Sequence, residues 1–164
     1  MDLSSFYSLM AVTCFTLVGL WWTVVERHPE WKVDRTRRRL AGGVYLSFLL
    51  PGLMSMFAQV DTGNPLIWRT SFTAAALIGI VNTVQLLGVD DAAQRGPFRR
   101  FRGLVALIYA VIAVIGLFPA VSSVADWTPL QAAALALILL VVLAHGLAWE
   151  FMMEHDEPSN AASD

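Results

Sequence analysis

The chain has 164 residues, 57% of them apolar and only 15% charged, with a mean hydropathy of +0.61 and a formal net charge of −2. That composition excludes a soluble globular domain. The length leaves room for one domain, expected at residues 1–157, ahead of a small polar tail at 158–164 that reads as disordered.

Five runs contain no Asp, Glu, Lys or Arg: 3–25, 40–60, 70–89, 103–125 and 127–149. Each holds 20 to 23 residues, enough at about 1.5 Å per residue to cross a hydrocarbon core of about 30 Å. The expected fold class is therefore an all-α membrane protein with five transmembrane helices. Arg27, Lys32, Arg35, Arg37, Arg38 and Arg39 follow the first run, and Arg95, Arg99, Arg100 and Arg102 follow the third. The turns at 61–65 and at Asp126 hold neither Lys nor Arg. Ten of the eleven basic residues thus share one side, which the positive-inside tendency makes cytoplasmic. The N-terminus is expected outside and the C-terminus inside, in the plasma (inner) membrane.

The first run lacks a positive n-region and is longer than a signal h-region, so it is expected to be retained as a helix. Phe6 and Tyr7 at one end and Trp21 and Trp22 at the other suit the two interfaces. Cys14 is the single cysteine, so no intramolecular disulfide forms. Glu26 closes the helix at the unfavourable end of its dipole and is expected to lean on Arg27 or on the arginines at 35–39. It is also a candidate proton acceptor at an inner cavity mouth.

The basic connection carries Trp31 in its middle and is expected to lie on the bilayer, with Arg35, Arg37, Arg38 and Arg39 attracting anionic lipid. It has no nucleic-acid-binding motif, and no nucleic-acid partner is expected. The second run opens with Gly42 and Gly43 and holds Pro51, which frees the carbonyl of Ser47 and is expected to kink the helix. At the next turn Asn64 is expected to cap and Pro65 to enter the first helical turn. Arg69 is expected to snorkel to headgroups.

The third run places Ser71, Ala75 and Gly79 four residues apart, a small-residue ladder suited to tight helix contact. Asn82 and Gln85 follow in the inner third of the bilayer, either as interhelical glue or as the lining of a polar cavity. Gly88 stops that helix ahead of Asp90 and Asp91. The fourth run carries Tyr109 and Pro119. Thr128, Pro129 and Gln131 form a capping-box pattern that starts the fifth helix. That helix carries His145 and Glu150, and with Glu154 and His155 these make a loose acid and imidazole cluster without the convergence that a metal requires.

Residues 37–91 and 99–156 align as two hairpins of one orientation, giving one leading helix plus two antiparallel hairpins. Asn82 lies 17 residues beyond Pro65, and His145 lies 16 beyond Pro129. A parallel internal repeat would put a ligand or ion position between Asn82 and His145. Phosphate loops, paired-cysteine zinc patterns and nucleophile elbows are all missing from the sequence, and it identifies neither an enzyme activity nor a cofactor. The architecture is similar to that of the tryptophan-rich sensory proteins, which bind porphyrins and sterols. Their proline- and tryptophan-rich motif segments do not occur here, and shared architecture does not carry function.

Two functions fit. The first is an accessory or assembly subunit, or a homo-oligomer, acting through helix contact at Ser71, Ala75 and Gly79. The second is a small transporter, channel or ligand-binding receptor using Asn82, Gln85, His145, Glu26 and Glu150.

Overall fold

The computed structural model describes residues 2–60, 65–87, 102–120 and 127–153, without the side chains of Leu87 and Arg102. Its elements are α1 (Leu3–Arg27), the short α2 (Glu30–Val33), α3 (Arg35–Phe57), α4 (Leu66–Leu87), α5 (Arg102–Leu117) and α6 (Pro129–Met153). All the regular structure among the described residues is helical. Four helices, α1, α3, α4 and α6, are long and apolar enough to cross a membrane. The connection at 88–101 and the segment 154–164 fall outside the described residues, as do Asn64 and the acids Asp61, Asp90, Asp91, Asp126, Glu154, Asp156 and Glu157.

Among the described residues, the α-helix of the fourth uncharged run ends at Leu117, before the run does. Its helix, α5, has 16 residues, about 24 Å at 1.5 Å per residue. Pro119 accounts for the early end, because it lacks an N–H and disfavours helical backbone at Phe118. Arg69 then closes the helix from the side. Its Nε donates to the carbonyl of Gly116 and its Nη2 to that of Leu117, both at 2.9 Å. The expected snorkelling to headgroups is not what this guanidinium does. It satisfies carbonyls that a helix end leaves open and sits at the negative end of the dipole.

Local sequence sets the other helix starts. Asp2 caps α1 through Ser5 N. Asp34 caps α3 by accepting from the amide of Thr36 at 2.9 Å. The arginines at 35–39 therefore form the first turns of α3 and not a loop before it, and Arg37 reaches back to Asp34 at 3.4 Å. At α6 the capping box forms in both directions. Thr128 Oγ1 accepts from Gln131 N at 3.2 Å, and Gln131 Oε1 accepts from Thr128 N at 2.9 Å.

Helix α3 is the hub, packing on α1, α2, α4 and α6, while α5 bridges α4 and α6. The helices α3, α4, α5 and α6 thus close a ring, and α1 lies outside it against α3 and α6. The main core joins Tyr7, Met54, Phe72, Tyr109, Ile112 and Leu137. Tyr7 is buried there, and its hydroxyl donates to the Leu130 carbonyl at 2.7 Å.

A second cluster forms at the end of the bundle where the basic residues lie. Trp31 is only 2% exposed; its ring stacks on His28 at 4.4 Å and meets Phe151 edge-on at 4.6 Å. Trp31 thus sits inside the bundle, where its indole closes this aromatic cluster. Trp21 joins the cluster and donates Nε1–H to the carbonyl of Ala41 at 3.0 Å.

Candidate functional site

The small-residue ladder lies inside the chain. Ala75 and Gly79 are buried, and Ser71 is half-buried with its hydroxyl donating to Ile67 O at 2.7 Å. Gly79 faces the Tyr109 ring, and Gly116 of α5 faces Thr73 and the backbone of Arg69. A Cβ at position 116 would stand 2.5 Å from Thr73 Oγ1. Two glycines, one on each helix, therefore bring α4 and α5 together, and the seam expected to serve a partner serves this intramolecular contact.

Asn82 and Gln85 share an open cleft between α3 and α4 of about 750 Å³. Helix α3 supplies Arg39, Gly42, Tyr45 and Leu46, and α4 adds Leu86. Positions 39, 42 and 46 repeat at the spacing of one helical face, which places a cation, a bare backbone and an apolar side chain in line. Gly43, one residue round the helix, packs instead on Leu86. Gly42 itself faces open space, with nothing within 4 Å of where a Cβ would be. Among the described residues, no hydrogen bond reaches the side-chain amides of Asn82 and Gln85, and no carboxylate pairs with Arg39. Tyr45 is braced from behind by Trp22, ring to ring at 6.0 Å.

Asn82 also borders a cavity of about 50 Å³ in the middle of the ring, where Ser47, Thr83, Val105 and Leu147 meet. The hydroxyls around it are engaged by their own helices: Ser47 Oγ donates to Gly43 O at 2.9 Å, and Thr83 Oγ1 to Gly79 O at 2.7 Å. Ser47 is also the residue whose carbonyl Pro51 deprives of a helical donor. Asn82 is the polar side chain common to the interior void and the open cleft.

His145 is elsewhere. Its Nδ1 lies 2.8 Å from the Val141 carbonyl, a contact that requires Nδ1 to donate, and its ring meets Phe48 edge-on at 5.2 Å. It lines an apolar groove with Leu17, Trp21, Phe48 and Trp149, and neither cavity that holds Asn82 includes it. Similar depth along the two hairpins does not become proximity, because α3 stands between them. Tyr45 and Leu46 face the cleft, whereas Phe48 is turned to His145.

Glu26 is exposed at the end of α1, and no ion pair joins it to Arg27 or the α3 arginines among the described residues. Glu150 is half-buried on α6, five residues past His145 and so on another face. Among the described residues there is no group of three or more His, Cys, Asp or Glu able to hold a metal.

Sequence reasoning found Asn82 and Gln85 but not Arg39, Gly42, Tyr45 and Leu46 as their facing wall. The signal was present in the spacing of 39, 42 and 46, at the point where the basic run meets the glycine pair.

Fold and composition together define an all-helical chain with helices long and apolar enough for a membrane protein. No family model matches it, and no curated protein or solved structure matches it either.

Proposed function

We propose that this is a multi-pass protein of the plasma membrane, with its N-terminus outside, its C-terminus inside and α5 as a fifth crossing. In this reading it binds a small polar or amphiphilic ligand in the cleft between α3 and α4. Its orientation follows from the positive-inside tendency applied to the ten basic residues that flank the first and third uncharged runs in the sequence. The observation that carries the binding role is the pair of amides, Asn82 and Gln85, on one open cleft without a hydrogen bond among the described residues. Polar groups in a bilayer are costly unless satisfied, and a ligand supplies the missing partners. Contact with an accessory partner or a second copy has less support, because the ladder it would use is filled by Tyr109.

Native mass spectrometry of the chain released gently from its own membrane tests this. A stoichiometric small molecule, retained by wild type and lost in Gly42→Leu, is the expected result. A bare wild-type chain would sink the reading, and a fixed oligomer or second polypeptide without a small molecule would restore the contact role.

A further inference from the structure

Among the described residues the ligand cleft carries one cation, Arg39. Of the four arginines on the first turns of α3, Arg37 is paired with Asp34. Arg35 and Arg38 do not line the cleft, while Arg39 does. It stands at the same end of the cleft as Gln85, since α3 and α4 are antiparallel and Gly43 packs on Leu86. The open backbone at Gly42 leaves the space between them clear. A guanidinium and two neutral amides on one wall system present hydrogen-bond donors and a single positive charge, which is complementary to one phosphate-type monoanion.

Apart from Tyr45, the rest of the cleft is apolar, formed by Gly42, Leu46 and Leu86. Going from Gln85 toward the middle of α4, Val81 and Ile78 continue the same helical face, and both are more than half exposed. On α3, the half-buried Leu46 continues the face begun at Gly42. The polar end therefore opens into an apolar track along the bundle surface, which a soluble anion has no use for and an acyl chain does.

Resting on the ligand-cleft reading, we infer that the occupant is an anionic phospholipid of the inner leaflet. Its phosphate lies against Arg39, Asn82 and Gln85, and a chain runs along Leu46, Val81 and Ile78. This is a single seated lipid, distinct from the diffuse attraction of a basic surface to anionic membrane, which Arg35 and Arg38 supply equally well.

The test uses the full chain in nanodiscs of equal phosphatidylglycerol and phosphatidylcholine, with retained lipids counted by native mass spectrometry. One phosphatidylglycerol per chain is expected on wild type. Arg39→Gln should lower its retention about tenfold, the scale of one lost charge-assisted hydrogen bond. Gly42→Leu should abolish it by filling the cleft, whereas Arg38→Gln and Gly19→Leu should retain it, since Gly19 also faces open space but lies on α1. Equal loss in Arg38→Gln and Arg39→Gln would overturn the inference in favour of diffuse attraction. Equal retention of phosphatidylcholine would overturn the anionic assignment while leaving the cleft as a ligand site. Displacement of the lipid by millimolar inorganic phosphate would assign the site to a soluble anion. Full retention in Gly42→Leu would remove both the lipid site and the cleft reading.

Discussion

Gly79 of α4 lies against the ring of Tyr109 of α5, so that a Cβ at position 79 would stand 2.6 Å from two ring carbons. Because that contact is within the chain, Gly79→Leu is a folding mutation. Overpacking of this kind costs about 1–3 kcal/mol. The variant should unfold earlier in detergent titration while its folded fraction keeps the wild-type mass by light scattering. Unchanged stability with a smaller assembly would show that position 79 serves a second copy.

Arg69 should matter for stability in the same region. Arg69→Gln removes the two bonds to Gly116 and Leu117, and loss of charged hydrogen bonds costs about 1.5–3 kcal/mol. Arg69→Lys should recover little, since an ammonium cannot reproduce the fork that engages both carbonyls. Hydrogen exchange at the end of α5 would report the fraying.

Tyr7→Phe isolates a single bond between α1 and the first turn of α6. The hydroxyl is lost with its hydrogen bond to Leu130 O, and the ring packing on Phe72 at 6.4 Å remains. A loss of about 1 kcal/mol is expected, read as a shifted unfolding midpoint with an unchanged slope.

The cap of α1 gives a pH dependence. Hydrogen bonds from the hydroxyl and amide of Ser5 hold the Asp2 carboxyl below its usual value of 3.8. The charged form is favoured by folding, so the cap is fully formed above that value and is lost as pH falls through the lower folded value. The Ser5 amide resonance should follow this titration in wild type and be insensitive to it in Asp2→Asn, whose amide also caps. A titration of Ser5 above the ordinary carboxylate range would contradict the cap.

What the sequence made legible was mostly one-dimensional. Uncharged length located the helices, and the Thr128 to Gln131 pattern marked the start of α6 because capping is local chemistry. Counting residues placed Asn82 and Gln85 along α4. Azimuth did not follow, because it depends on which helices are neighbours around the ring. Asn82 and His145 lie at similar spacings from Pro65 and Pro129 yet open into different cavities on account of α3. Trp31, in the middle of the basic connection, is buried because Trp21 and Phe151 arrive from two other helices. Nothing near Trp31 in the chain announces either partner. The seam at Ser71, Ala75 and Gly79 was legible as a contact surface, but only Tyr109 shows what it contacts.

The central claim is a polar cleft that opens at the inner face, and solvent access at Gly42 tests it most directly. In a Cys14→Ala background, Gly42→Cys and Gly19→Cys would be challenged with a membrane-impermeant maleimide in sealed vesicles of each orientation. Thiol reaction requires the thiolate and hence water. Position 42 should label from the cytoplasmic side alone, and position 19, in the middle of the proposed crossing α1, not at all. An unreactive position 42, or one labelled from the outside, would contradict it.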